Sequence, residues 1–239
     1  ATGSRHCRAL RCQQTGASLL DSFGDHGAAC TRTGELKRRG SAVERAWRPL
    51  WEEAPVQASE HPLVHDLVPT VPAWDGRQAD VFVRGMSIGN GRPVVGDMCM
   101  GSALHVNGTP YAHASAEDGK AIERLTRQKH NDYPELVASD RIRYVVLACE
   151  EGGQWGPDVF EVVSDLVRLK VAPLHPMLRR SAALAYTRKW WAILATGAQS
   201  AAIDCILGQD PQVWVPHGAP PLAVDLAWAD VAPEPSRLG

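Results

Sequence analysis

The stretch DGRQADVFVRGMSIGNGRPVVGDMCM, residues 75–100, constrains the fold more than any other part of this chain. Two short runs of strand-forming residues, 79–84 and 93–100, flank a segment rich in Gly and Asn (Gly85, Gly89, Asn90, Gly91), a pattern that predicts two paired strands. Each run carries one carboxylate in otherwise apolar company. Asp80 precedes Val81-Phe82-Val83, and Asp97 lies between Val94-Val95 and Met98-Cys99-Met100. Two ionised carboxylates about 4 Å apart repel by about 4 kcal/mol at an effective dielectric of about 20. Strands that bring them together therefore favour a shared proton or a bound cation. A hard divalent cation held by Asp oxygens, its shell completed by water, suits phosphodiester chemistry. The alternative is that each Asp faces water at a strand end.

Downstream, Ser115 and Asp118 form an S-x-x-D start signal that predicts a helix continuing to about Asn131. Ile122, Leu125 and Lys129 fall at i, i+3 and i+7, which turns Lys129 toward the apolar face. Tyr133 follows four residues later, and Asp132-Tyr133-Pro134-Glu135 opens another helix. A lysine on the buried side needs an anion, because an unpaired buried charge is costly. Asp80 and Asp97 are the nearest in sequence. The alternative is a lysine whose stem lies on the core while its ammonium reaches water.

Around this centre the chain alternates helix and strand. Residues 41–54 read as a helix, with Ser41 and Glu44 as a capping box and Val43, Trp47 and Leu50 at helical spacing; Pro49 is expected to kink it or end it early. Residues 61–68 read as an edge strand among Pro55, Pro62, Pro69 and Pro72. His65 and Asp66 within it are no acid–base pair, since neighbouring strand residues point to opposite faces. The continuous apolar run in 142–150 predicts a buried central strand, closed by Glu150-Glu151-Gly152-Gly153-Gln154-Trp155-Gly156. Pro157 then opens a helix with Val159, Val162, Val163 and Leu166 on one face. A long helix over 177–207 carries Arg179, Arg180, Arg188 and Lys189 toward its start, either a phosphate grip or a solvated face. From residue 209 the chain is rich in Pro, Ala and Gly and net acidic, and is expected to be poorly ordered.

A length of 239 residues and an apolar fraction of 44% allow one ordinary domain with smaller additions. The net charge of -2 hides an asymmetry: residues 1–50 hold nine Lys or Arg against four Asp or Glu, while 51–170 are acidic. A basic end beside an acidic centre suits a phosphate-backbone ligand, although a solvated face explains any single run. Three of the six cysteines lie in the first 30 residues, which fits one metal cluster in a reducing compartment better than a secreted disulfide framework. Cys7, Cys12, His26 and Cys30, with His6 in reserve, make an ordinary tetrahedral zinc set. The alternative is a disordered leader with free thiols. Arg32, Lys37, Arg38 and Arg39 form a basic linker expected to meet phosphates, not bases. The longest apolar stretch, 190–207, contains Gly197, Gln199, Ser200 and Asp204 and fails as a membrane span. The lack of an initiator Met suggests a piece of something longer.

Arg77 and Asp80 (R-x-x-D), then Asp97, then Lys129 and Tyr133 (K-x-x-x-Y) together resemble the restriction-enzyme-like endonuclease of site-specific non-LTR retrotransposons, within the PD-(D/E)xK nuclease superfamily. Asp21-Ser22-Phe23-Gly24-Asp25-His26 followed by Cys30 resembles the segment before that endonuclease, and Gly152-Gly153-Gln154-Trp155 resembles its GG-x-W turn. The chain departs from the pattern at Ala79, where the family has proline. Cys99 takes the strand position from which the lysine has moved to the next helix in part of the superfamily. The resemblance spans roughly residues 7–207. It implies an α/β restriction-endonuclease-like core over 36–170, a zinc knuckle over 1–35, a helical appendage over 171–208 and a tail over 209–239. It further implies that Asp80 and Asp97 hold Mg²⁺. Lys129 would orient the attacking water or offset phosphate charge, with support from Tyr133. Glu44 on the first helix and Glu150 at a strand end are secondary candidates. DNA is the implied substrate in a nuclear setting; the resemblance also admits RNA and an upstream reverse transcriptase domain as partners. Two rivals stand beside it: an inactive remnant that grips nucleic acid, and a structural or interaction protein whose acids and lysine form a buried ion network.

Overall fold

The structure is a computed structural model that describes residues 35–105, 109–114 and 117–207, excluding the side chains of 35–39 and 205–207. The zinc set Cys7, Cys12, His26 and Cys30, and Arg32, lie outside the described residues, as does everything beyond residue 207.

Helix α1 spans Glu35–Glu53 and so begins six residues ahead of Ser41, inside the expected basic linker. Lys37, Arg38 and Arg39 therefore sit on helical backbone. Leu, Lys and Arg are good helix formers, and a run of them outweighs the cost of about 1 kcal/mol for Gly40. Ser41 and Glu44 lie inside the helix and not at its start. Nor does Pro49 stop the helix. The penalty of about 3 kcal/mol for an internal proline is offset by burial of Trp47, Leu50 and Trp51, the two indoles stacking at 5.1 Å.

The chain then builds a four-stranded mixed sheet in the order β1-β2-β3-β4. β1 is Gln57–Glu60, antiparallel to β2, Val81–Arg84. The expected edge strand at 61–68 is instead a turn of helix, α2, Val64–Leu67. All four β1 residues are exposed, so no hydrophobic alternation marks them in the sequence; pairing along β2 defines this strand. β3, Val94–Gly101, runs antiparallel to β2 and parallel to β4, Arg143–Glu150. β4 was expected to be central, yet it is the last strand of the sheet. Helices cover both its faces, and Asp158 Oδ2 accepts the Val146 N–H at 2.8 Å while Trp155 bridges to Cys149. Covering an edge in this way removes unpaired strand donors.

Helix α3, Lys120–Asp132, starts after Gly119, which sits at the N-cap with φ 80°, a left-handed conformation suited to glycine. The helix thus starts after Asp118 of the S-x-x-D signal, whose Ser115 lies outside the described residues. α4, Pro134–Val137, is one turn opened by its proline. α5, Pro157–Val171, and α6, Pro176–Leu207, complete the described chain.

Alternation along β3 sorts the core into two sides. Val94, Met98 and Met100 join Trp47, Val162, Leu166 and Leu194 beneath α1, α5 and α6. Val95 packs with Val64 and Leu136, and Cys99 packs with Ile122 and Val146, beneath α2, α4 and α3. α6, expected as an appendage, lies along α1 and supplies Trp190, Leu194, Ala198 and Ala201 to the main core. Their closest approach is at Gly197, where a Cβ would come 2.4 Å from Ala46 Cβ. Among the described residues no helix is long and apolar enough to cross a membrane.

Candidate active site

Asp80 is the residue just before β2, and the pairing Val81↔Gly96 continued by one position sets it against Asp97. Beyond that point β3 runs on without a β2 partner, and the Asp80 carboxylate accepts the Met98 N–H left over there. The two acids thus meet where the strands part. Asp97 is 2% exposed and held from the far side of the sheet. Lys129 donates to its Oδ1 at 2.8 Å, and the Tyr144 hydroxyl donates to Oδ2 at 3.3 Å. Lys129 arrives because Ile122 and Leu125 anchor the same face of α3 to the sheet.

Electrostatics here are unbalanced. Burial, together with the negative charges of Asp97 and Glu44, pushes the Asp80 carboxyl up to about 8, and the bond from Met98 only partly opposes this. A protonated Asp80 is placed to donate to the Asp97 carboxylate. For Lys129, burial works to lower the pKa, but the Asp97 carboxylate at contact distance prevails and holds it above the usual lysine value. Lys129 is therefore an ammonium at neutral pH. Burial and the Asp97 charge likewise raise the Tyr133 and Tyr144 hydroxyls.

A stability consequence follows from Asp80. Its folded pKa lies above its unfolded one, so between about pH 4 and pH 8 the folded chain holds a proton that the unfolded chain has lost. The contribution of this group is complete below about pH 4 and is withdrawn as pH rises through its folded value. Asp80→Asn should flatten the decline of urea-unfolding free energy with pH across that window and stabilise the protein at its upper end. An unchanged slope would show that Asp80 is ionised in the fold.

Other expected site residues have different positions. Arg77 is held by Asp75 and Glu135 and donates to the Asp132 carbonyl, so its guanidinium ties the loop before β2 to the α3–α4 junction. Tyr133 donates through its hydroxyl to the Gln78 carbonyl at 2.9 Å, and its ring centroid lies 5.9 Å from Lys129 Nζ. Tyr133 thus flanks the lysine without touching either acid. Glu150 accepts the Ile122 N–H at 3.4 Å in the first turn of α3, where a carboxylate complements the helix dipole. It pairs with Gly101, four positions beyond Asp97, or about 13 Å along the strand. It is a helix anchor at that distance. Glu44 does approach the pair: with Asp80 it lines a cleft of about 270 Å³ between α1 and the sheet, together with Arg45, Arg48, Glu60 and His61.

Tyr144 was not singled out from the sequence. Its signal was a phenol inside an otherwise apolar strand, since a buried hydroxyl needs a partner. His61 was read only as the start of a strand. It adopts φ 51° and donates its N–H to the Asp80 carbonyl, which places it on the cleft wall.

Among the described residues no three His, Cys, Asp or Glu side chains gather as a ready metal cage. The Asp80–Asp97 pair nonetheless fits a hard cation that keeps much of its water. It offers carboxylate oxygens, and its excess negative charge, taken up by a proton on Asp80, suits a divalent ion. Neither a scan against protein-family models nor a search of curated proteins finds a match for this chain.

Proposed function

We propose that this chain is a metal-dependent DNA endonuclease of the restriction-enzyme-like kind, derived from a non-LTR retroelement polyprotein. The observation that carries the reading is the meeting of Asp80, Asp97 and Lys129 at the point where β2 leaves β3. With the one-turn helices α2 and α4 set aside, the order helix, edge strand, two hairpin strands, helix, strand, helix supports the reading, since it is the order that the resemblance implies. Asp80 and Asp97 would hold Mg²⁺, which when bound supplies positive charge to the phosphate and lowers the pKa of an attacking water. Lys129 fixes the rotamer of Asp97 and keeps positive charge beside it as the phosphate enters. Because it stays protonated, its role is electrostatic and not that of a general base. Tyr133 packs against the lysine, and Tyr144 satisfies the second Asp97 oxygen. Zinc on Cys7, Cys12, His26 and Cys30, and phosphate contacts from Arg32, Lys37, Arg38 and Arg39, complete the proposal, with nuclear DNA as substrate.

The experiment is nicking of supercoiled plasmid. Open circles should accumulate with Mg²⁺ and vanish with chelator, and Lys129→Ala should slow nicking by about 10²-fold or more. No nicking with Mg²⁺ or Mn²⁺ would sink the reading. The burial of Asp97 with two donors on it favours one rival, a structural ion network in an inactive protein.

A further inference from the structure

Asp97 is closed off on the α3 side by Lys129 and the Tyr144 hydroxyl, with the Tyr133 ring beside the lysine. The acid pair is reached through Asp80, and Asp80 lines the cleft beneath α1. The charges along that cleft are unequal in availability. Arg48 is engaged by Glu60 through paired bonds, Nε and Nη2 each at 2.8 Å, so those two cancel. Arg45, also on the cleft and exposed, has no hydrogen-bond or ion-pair partner among the described residues. Its neighbour Glu44 lines the same cleft as Asp80. The cleft thus combines an acidic floor with one available guanidinium at its wall, and guanidinium is the side chain best shaped to hold a phosphate.

From this arrangement we infer that Arg45 is the phosphate anchor of the site. The nucleic-acid strand crosses α1 and enters the cleft from that side, one of its phosphates resting on Arg45 while the next reaches Asp80. This rests on the endonuclease reading and adds to it the side of approach and a binding residue. Lys129, behind Asp97, is then a positioning residue that acts through that carboxylate. Glu44 repels a phosphate that is not drawn in by Arg45, so the position of the anchor also sets where along the strand the acids can act.

The test is fluorescence anisotropy with a short labelled duplex in Ca²⁺ over a salt series, beside plasmid nicking in Mg²⁺. Arg45→Ala should weaken binding about tenfold and reduce the slope of log K against log salt by about 0.9, the value for one lost phosphate contact. Arg45→Lys should recover most of the affinity. Arg48→Ala should change less, because Glu60 already occupies that guanidinium. Arg127→Ala, on exposed α3 across the sheet, should behave as wild type. Arg45 is exposed, so an unaltered melting temperature is expected and separates binding from folding. Wild-type affinity and slope in Arg45→Ala, or a loss confined to Arg127→Ala, would overturn the inference while plasmid nicking kept the endonuclease reading intact. Binding that depends on Arg45 in a protein that never nicks would support the anchor and remove the endonuclease.

Discussion

Asp97→Asn is expected to lower plasmid nicking by on the order of 10³-fold while leaving the stability of the fold close to that of the wild type. The change removes one charge of a carboxylate pair and keeps the shape of the side chain. It also removes the Asp97 charge, which adds to burial in keeping a proton on Asp80. Lys129 loses its anion, but one quarter of its side chain is already exposed, and the ammonium can turn to water. In a sealed ion network the same substitution strands a buried cation and costs about 3 kcal/mol or more. Nicking and urea unfolding measured on one preparation separate the two. Nicking at the wild-type rate in Asp97→Asn would end the nuclease assignment, and a large stability loss without any wild-type activity would establish the network.

Trp190→Ala should be the most damaging single change to the fold, at about 3–5 kcal/mol. The indole is fully buried in the core that joins α1, α5, α6 and the sheet, and its Nε1–H donates to Glu53 Oε2 at 3.1 Å. Glu53 also receives Lys189 at 2.6 Å, and these bonds, led by that from Lys189, hold its carboxyl below the usual glutamate range. Truncation would therefore open a cavity and strip one donor from a working carboxylate. Chemical denaturation should give one cooperative transition at a lower midpoint, with hydrogen exchange accelerated in β3 and β4 as well as in α6. A loss confined to α6 would mean that this helix is an appendage after all.

Much of the local structure was legible in the chain because local rules govern it. Two valine-rich runs around Gly and Asn became β2 and β3, Pro134 and Pro157 opened helices, and the i, i+3, i+7 relation of Ile122, Leu125 and Lys129 aimed the lysine inward. The pairing of Asp80 with Asp97 was legible too, since a hairpin with acids in both arms has few registers that bury the valines.

Other features depended on partners distant in sequence. Nothing in Gln57–Glu60 marks a strand; the open edge of β2 recruits it. Pro49 stays helical because Trp47, Leu50 and Trp51 are buried on both sides of it, and helix-breaking propensity is small beside that burial. Which carboxylates serve the site was likewise decided by tertiary structure. Sequence ranks Glu44 and Glu150 alike, as secondary candidates behind Asp80 and Asp97, but α1 lays Glu44 beside Asp80, while the end of β4 spends Glu150 on the first turn of α3. Residue type and spacing determined that this chain could bring two acids and a lysine together. The packing of α1 and α3 on opposite faces of one sheet decided which side of those acids is open, because accessibility belongs to the assembled layers and to no single segment.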